Sequence, residues 1–275
     1  MDFFTYTLIL LLVGLLVGFL AGLLGVGGGF IMGPVQFWLL SYLGLDPNLA
    51  IRVAFATSLT ATIPTAMSGA AGHYNKGAVD SKPALIIGIP SFLAAFLGAI
   101  ITSKAPASTL SVVFGVVIII LALWMLRSEN PDTTIQSRHM TPILIIIGLG
   151  TGLLSGALGI GGGTILIPML VMIMGCSMHR AIGTSVTVVI FTALGGVVSY
   201  IINGWNVSGL PPYSVGYVNL LNLIILIIAT VPMAQVGVKA SHMIPAKKLK
   251  YIYIILMIYI GLRMMGVFSW LNLPI

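Results

Sequence analysis

The sequence contains few charged residues, and very few acidic ones. Its 275 residues include 12 Lys and Arg but only 5 Asp and Glu; 59% are hydrophobic and 6% are charged. Soluble domains carry about a quarter charged residues, so this composition excludes a soluble domain. One cysteine, Cys176, excludes a secreted scaffold held by disulfides within the chain. The composition predicts an all-α protein that crosses a membrane several times.

The basic residues do not form a nucleic-acid-binding surface. The net charge of +7 comes from residues scattered between apolar runs, with one cluster at Lys247, Lys248 and Lys250. Nucleic-acid recognition needs a coherent basic face, whereas in a membrane protein the same excess marks cytoplasmic loops and contacts with anionic lipid. We therefore expect the lipid bilayer as a partner and no nucleic acid. The acidic start, Met1-Asp2-Phe3, is unlike a signal peptide, so the first apolar segment is expected to be retained.

Charged residues divide the chain into apolar segments of membrane-spanning length. A helix that crosses the hydrocarbon needs roughly 20 apolar residues, and this rule predicts about eight transmembrane segments. Four lie on each side of a polar stretch, so we predict a first repeat at 1–127, a linker at 128–140 and a second repeat at 141–275.

The two halves are copies of each other. The phrase GLLGVGGGFIMGP at 22–34 recurs as GALGIGGGTILIP at 156–168, and Thr57-Ser58 recurs as Thr184-Ser185. Such collinearity predicts two homologous repeats. Consecutive glycines are poor helix interiors, so the first segment of each repeat is expected to be broken or re-entrant at its GGG tip.

The basic residues favour one relative orientation of the repeats. If the halves run the same way, seven basic residues lie inside and five outside. If each first segment returns to its own side, the halves are inverted, and only Arg52, Lys104 and Arg263 lie outside. The positive-inside rule favours inverted repeats. The basic residues then inside are Lys76, Lys82, Arg127, Arg138, Arg180, Lys239, Lys247, Lys248 and Lys250.

The glycine tips are the first candidate binding site. A glycine turn that opens into a helix aims free backbone N–H groups and the positive end of the helix dipole at one point, which suits an anion. Glycines four residues apart before each tip, such as Gly14, Gly18 and Gly22, are instead expected to serve close helix packing. The candidate substrate-binding residues at the tips are Gly27, Gly28, Gly29, Phe30, Gly161, Gly162, Gly163 and Thr164.

Uncharged polar residues form the second candidate set. The repeated Thr-Ser pairs lie on otherwise apolar helices, where hydroxyl groups could line a pathway for a partly dehydrated anion. Two amides within apolar segments either contribute to the site or make hydrogen bonds between helices. These candidates are Thr57, Ser58, Thr184, Ser185, Gln36 and Gln235.

No carboxylate lies inside a predicted span, which argues against a cation pathway. The five acidic residues all flank segments or lie in the linker. The sequence also has no H-E-x-x-H zinc motif, no Walker loop and no G-x-G-x-x-G after a strand. We therefore expect no enzymatic activity, no metal and no cofactor.

The repeated G-x-G-G-G-x-x-x-x-P phrase, GVGGGFIMGP at 25–34 and GIGGGTILIP at 159–168, each followed by a Thr-Ser pair, resembles the TauE/SafE family. The resemblance covers essentially the whole chain. It implies a transporter of sulfite or related sulfur compounds across the cytoplasmic membrane. The second tip has Thr164 where the first has Phe30, so the two halves need not contribute equally.

The combined prediction is a multi-pass transporter of the cell membrane. It moves a small anion, sulfite or a related sulfur oxyanion or organosulfonate, through a midplane site between the two repeats. Two alternatives stay open: a passive anion channel that uses the same site, and an accessory membrane subunit that does not transport.

Overall fold

The computed structural model describes residues 3–127 and 141–267, which are almost entirely helical. One two-residue hairpin precedes the ninth helix. In chain order the elements are α1 Phe3–Leu24, α2 Gly29–Tyr42, α3 Pro47–Asn75, α4 Ser81–Lys104, α5 Ala107–Arg127, α6 Thr141–Leu158, α7 Gly163–Met172, α8 Met178–Gly204, β1 Ser214–Val215, β2 Val218–Asn219, α9 Leu220–Ser241 and α10 Ala246–Met264.

Among the described residues, seven helices are long and apolar enough to cross a membrane: α1, α3, α4, α5, α6, α8 and α9. The predicted multi-pass all-α architecture is thereby confirmed. Helix α10, whose 19 residues include four basic ones, is not among the seven. The count of eight segments therefore stays a prediction, and the predicted linker at 128–140 lies outside the described residues.

One end of the helix bundle, here called the N-terminal face, holds the beginning of α1. The hydroxyl of Tyr6 donates to Asn222 Oδ1 at 2.9 Å, which places the beginning of α9 beside it. The Ala107 N–H donates to Asn48 Oδ1 at 2.9 Å, so α3 and α5 begin at the same face. Arg52 reaches the carbonyl oxygen of Ala105, just after the end of α4.

The other end, here called the histidine face, holds the ends of α3 and α9 and the beginnings of α4 and α8. His73 near the end of α3 lies 3.2 Å from His242, which follows α9. Arg180 in the first turn of α8 forms an ion pair of 3.3 Å with Asp80, which precedes α4. The bundle therefore has two distinct ends, and α3, α4, α8 and α9 each run from one to the other.

Helices α1 and α9 run parallel in very close contact, because glycines remove the side chains between them. A Cβ added to Gly18 would overlap Thr230, and one added to Gly22 would overlap the carbonyl oxygen of Ala234. Gly152 and Gly156 of α6 lie in the same way against α4. The expectation that these spaced glycines serve helix packing is confirmed.

Helices α3 and α8 cross the centre of the bundle in opposite directions. Early on α3, Leu59 contacts Gly196 late on α8, whereas Gly69 late on α3 contacts Val186 early on α8. Asp46 caps the beginning of α3 by accepting the Asn48 and Leu49 N–H groups at 3.0 and 3.2 Å. This antiparallel pair forms the central support against which the glycine turns pack.

Candidate functional site

Each glycine sequence is a sharp turn between two helices. The turn at 25–28 joins α1 to α2, and the turn at 159–162 joins α6 to α7. Gly28 and Gly162 are the N-cap residues of the second helices, with φ of 87° and 90°. A side chain is disfavoured in this left-handed conformation, so glycine is required at both positions. We call these turns tip 1 and tip 2.

Tip 1 is reached from the N-terminal face and tip 2 from the histidine face. Helix α2 returns from tip 1 toward the N-terminal face, where the Asn222 side chain donates to Gln36 at 3.4 Å. Helix α6 runs parallel to α4, since its glycines face Ile87, Ser91 and Ala95 in order along that helix. The two helix–turn–helix units are therefore hairpins that enter the bundle from opposite ends.

The two tips lie directly against each other. A Cβ added to Gly29 would lie 2.7 Å from the carbonyl oxygen of Ile160, and one added to Gly163 would lie 2.6 Å from Val26 Cα. Glycine at the first residue of α2 and of α7 is therefore what lets the two backbones approach.

Thr62 and Val189 lie beside both tips, near the middle of α3 and α8. A Cβ on Gly27 would lie 2.6 Å from the nearest methyl carbon of each, and a Cβ on Gly161 would lie 3.2 Å from Thr62 and 3.6 Å from Val189. The tips therefore meet halfway along the central helix pair, at the depth where many transporters hold their substrate.

Backbone donors converge where the tips meet. In α2 the Ile31 and Met32 N–H groups donate to the Gly28 oxygen, and the first-turn N–H groups of Gly29 and Phe30 have no backbone acceptor among the described residues. In α7 the Ile165 and Leu166 N–H groups donate to the Gly162 oxygen in the same way. The corresponding first-turn donors of α7 are the N–H groups of Gly163 and Thr164. Two positive helix ends thus lie together, an arrangement that stabilises an anion.

Buried hydroxyl groups without partners surround this region. Among the described residues, Thr62 Oγ1 and Ser155 Oγ are buried and make no hydrogen bond, and the hydroxyls of Thr164 and Tyr253 are buried close to each other. Tyr253 lies close to Thr164, and its ring packs edge-on to Phe30 with centroids 6.4 Å apart. A buried hydroxyl that lacks a partner costs about 1–3 kcal/mol. Such a group is retained at little cost where a polar ligand satisfies it.

The serines of the two Thr-Ser pairs contact the hairpins. Ser185 donates to the Gly25 oxygen in tip 1 at 2.8 Å. Ser58 accepts a hydrogen bond of 2.8 Å from Gln36 on α2. Both serines are fully buried. They hold the hairpins against the central helices.

The threonines of the same pairs hold the beginnings of two other helices. Thr57 Oγ1 accepts the Asn219 N–H at 2.9 Å, and Thr184 Oγ1 accepts the Asp80 N–H at 3.0 Å. Asn219 directly precedes α9 and Asp80 directly precedes α4. The structure thus separates the four hydroxyls of the predicted site into two pairs with different contacts.

A chain of uncharged polar side chains leads inward from the N-terminal face. It runs from Tyr6 to Asn222, then to Gln36 and to Ser58. Tyr6, Asn219 and Asn222 also line a cavity of about 400 Å³ on this face, between the start of α1, the end of α2 and the segment before α9. Sequence analysis singled out Gln36 and Ser58 but missed Tyr6, Asn219 and Asn222, because helices far apart in the sequence bring them together.

Gln235 lies away from the tips. Its amide donates to the Ser68 carbonyl oxygen at 2.5 Å and to Ser68 Oγ at 3.1 Å, which ties α9 to α3 on the side of the histidine face. Between this contact and the N-terminal face, Thr65 and Thr230 share a hydrogen bond of 2.6 Å. The interface between α3 and α9 is therefore polar along much of its length. Gln235 has the contact expected of an interhelical hydrogen bond.

The described residues contain no group of three or more His, Cys, Asp and Glu side chains placed to bind a metal ion. The carboxylates they do contain lie outside the helices: Asp46 caps α3 and Asp80 pairs with Arg180. The chemistry that the tips offer is therefore hydrogen-bond donation by backbone N–H groups and neutral hydroxyls.

These features define a multi-pass membrane protein whose polar interior lies between apolar helices, the architecture of a membrane transporter. Residues 10–264 match the model of the family described as Sulfite exporter TauE/SafE, and the chain belongs to this family. It is thus a multi-pass protein of the cell membrane.

Relatives of similar length carry the description "probable membrane transporter protein". One from Haemophilus influenzae is 29% identical over 95% of this chain and 98% of its own length. One from Methanocaldococcus jannaschii is 29% identical over 94% of both chains. A third, YdhB of Bacillus subtilis, is 29% identical over 83% of this chain and 90% of its own. No solved structure matches the chain.

Proposed function

We propose that this protein is a carrier that moves a small sulfur oxyanion, sulfite or a related organosulfonate, across the cell membrane through a site at the two glycine tips. The observation that carries the proposal is the meeting of two helix N-termini at the middle of α3 and α8, beside the buried hydroxyl of Thr164 and the buried, unpartnered hydroxyl of Thr62. The family description supplies the sulfur chemistry of the substrate.

The donor set suits a tetrahedral or pyramidal oxyanion. Sulfite and sulfonates each present three oxygen atoms that accept hydrogen bonds, and the tips present backbone N–H groups from two directions together with hydroxyls. None of the described helices contains an Asp or Glu, so no carboxylate repels the anion inside the membrane. Neutral donors hold an anion without the strong attraction of a buried cation, which favours release as well as binding.

The helix directions support inverted repeats. Corresponding helices of the two halves are α1 and α6, α2 and α7, α3 and α8, α4 and α9, and α5 and α10. When each helix is replaced by its counterpart in the other half, the parallel pair α1–α9 becomes the pair α6–α4. This second pair is also parallel and closely packed. Helices α3 and α8 correspond to each other yet run antiparallel, which requires a pseudo-two-fold axis in the membrane plane.

The basic residues then give the orientation. Eight of the nine basic residues that the inverted arrangement would have inside lie in, or directly after, helices that begin or end at the histidine face. The ninth, Arg138, lies outside the described residues. The positive-inside rule assigns this face to the cytoplasm. The N-terminal face, with its polar cavity, then opens to the outside.

A cysteine-labelling experiment tests this topology. On a Cys176→Ser background, Lys82→Cys and Lys248→Cys are expected to react with an impermeant maleimide only from the cytoplasmic side, because both side chains are exposed near the histidine face. Lys104→Cys, exposed near the other face, serves as the opposite control. Labelling of Lys82→Cys and Lys248→Cys from opposite sides would rule out inverted repeats.

Flux into proteoliposomes that contain only this chain tests the function. We expect saturable uptake of one of labelled sulfite, sulfate, thiosulfate or a small sulfonate, with trans-acceleration by the same unlabelled anion and little chloride movement. Flux without saturation or exchange would indicate a passive channel. Absence of any flux from folded protein would contradict the proposal and favour an accessory subunit.

A further inference from the structure

Three of the chain's four histidines meet at the histidine face: one on α3, one on α8 and one directly after α9. His73 is fully buried near the end of α3, and its Nδ1 lies 3.2 Å from Nε2 of His242. The His242 ring stacks on that of His179 with centroids 5.6 Å apart, and His179 Nε2 is held by the Ser241 carbonyl oxygen at 3.0 Å. His242 is only partly buried, so it connects the buried ring to the surface.

The contacts of His73 determine where its proton lies. Its Nε2 is 2.9 Å from the Gly22 carbonyl oxygen, which can only accept, so Nε2 carries a hydrogen. In the neutral ring Nδ1 is then the acceptor, and the hydrogen between the two rings belongs to His242 Nε2. The neutral His73 ring therefore directs its Nδ1 lone pair at His242, a partly buried side chain that lies between it and the surface.

We infer that His73 is a proton-binding site, loaded from the cytoplasm through His242, whose protonation is coupled to anion binding at the glycine tips. The inference rests on the proposed transport function and adds to it control of anion binding by cytoplasmic protons. The inference is based on the positions of the three imidazole rings and on the contact of His73 with Gly22. Gly22 lies near the end of α1, just before tip 1.

The proton transfer requires no other reactant. Water at the histidine face gives a proton to His242 Nδ1, and His242 passes its Nε2 proton to His73 Nδ1. His242 is left neutral with its hydrogen on Nδ1. His73 becomes an imidazolium that still donates from Nε2 to the Gly22 oxygen. Reversal of the same steps returns the proton to the cytoplasm.

Protonation of His73 is linked to the tips by charge and by position. The Gly22 oxygen belongs to the last turn of α1, the negative end of its helix dipole, which stabilises a cation. Gly25 follows three residues later, and its oxygen is bonded to Ser185 of the central helices. A positive charge here attracts an anion at the tips through a low-dielectric interior. Because the two binding events are thermodynamically linked, anion binding increases the proton affinity of His73 by the same factor by which protonation increases the affinity for the anion.

The surrounding charges shift this titration toward acid pH. Burial lowers the pKa of His242, and repulsion by His179 and Lys76 lowers it further. Other basic groups at this face are Lys239 in the last turn of α9 and the lysines that open α10. Arg180 is neutralised by Asp80. Helix α1 contributes no charged side chain. Protonation, and with it tighter anion binding, is therefore expected as the cytoplasmic pH falls.

The test combines two assays on the whole chain in proteoliposomes, using whichever sulfur oxyanion the wild type transports. One is anion exchange at a series of pH values that are equal on both sides; the other is anion exchange with the pH changed on one side at a time. His73→Gln keeps a donor for the Gly22 oxygen but cannot be protonated. We expect His73→Gln and His242→Gln to retain exchange but to lose the dependence of the apparent affinity on the pH at the histidine face.

His179→Gln is the matched control, because His179 contacts His242 but is not in the path to His73. The pH dependence of the apparent affinity should persist in this variant. The pH at the midpoint of the affinity change should be higher than in the wild type, because loss of the repulsion from His179 raises the pKa of His242.

A pH dependence of the apparent affinity that survives in His73→Gln, or wild-type exchange that ignores pH, would overturn the inference while leaving the transport proposal intact. Absence of exchange in the wild type would instead contradict the transport proposal itself.

Discussion

Replacement of Thr62 by Val is expected to weaken the apparent affinity for the transported anion by roughly ten- to a hundredfold. The Thr62 hydroxyl is buried beside both glycine tips and has no partner among the described residues. A hydrogen bond to a charged group contributes about 1.5–3 kcal/mol, and 1.4 kcal/mol corresponds to a tenfold change in affinity. Concentration dependence of exchange in proteoliposomes measures the effect.

The same substitution should not destabilise the protein. Valine has nearly the shape of threonine, and removal of a buried hydroxyl that lacks a partner removes its desolvation cost. Val189, the residue equivalent to Thr62 in the second half, already occupies the matching position beside the tips. Thermal unfolding in detergent is therefore expected at or slightly above the wild-type temperature, which separates a binding defect from a folding defect.

Thr60→Val on the same helix is the matched control. The Thr60 hydroxyl donates to the Ala56 carbonyl oxygen at 2.8 Å, one turn back on its own helix, so it has a local structural contact. Its replacement should leave affinity within about twofold of the wild type, as expected for a substitution away from the site. Equal affinity in Thr62→Val and Thr60→Val would remove Thr62 from the proposed site.

The break in the first segment of each half could be predicted from the sequence because its cause is local. Three consecutive glycines cannot continue a membrane helix, and the apolar runs on both sides are long enough to form its two arms. The structure places the helix ends at Leu24 and Leu158 and the new helix starts at Gly29 and Gly163. The role of the spaced glycines in packing follows equally from a local pattern.

The contacts inside the bundle could not be predicted in this way. Thr57 and Ser58 are neighbours in the sequence, yet Thr57 holds the beginning of α9 and Ser58 binds Gln36 on α2. Thr62 has no sequence signal, because its equivalent is a valine and its importance arises only where two distant turns meet. His73 and His242 are 169 positions apart in the chain, and the parallel packing of α3 and α9 brings them together.

Replacement of Gly162 by Ala is expected to abolish transport while the protein still inserts and folds. Gly162 has a φ of 90°, and a Cβ there would lie 3.3 Å from methyl carbons of Thr151 and Thr192. The left-handed conformation costs an ordinary residue about 1–2 kcal/mol, which a bundle of this size can tolerate. Relief of that strain requires the turn to shift, and the N–H groups of Gly163 and Thr164 would no longer point at the site. Exchange flux per folded molecule measures the loss.

Gly150→Ala on α6 is the control for Gly162→Ala, because it adds the same methyl group where nothing lies within 4 Å. Alanine is the better helix former by about 1 kcal/mol, so this variant should transport normally and be slightly more stable. If Gly162→Ala transports as fast as Gly150→Ala, the free N–H groups at the start of α7 do not hold the anion. The site would then have to depend on tip 1 and the hydroxyls alone, with the first half of the chain supplying most of the binding energy.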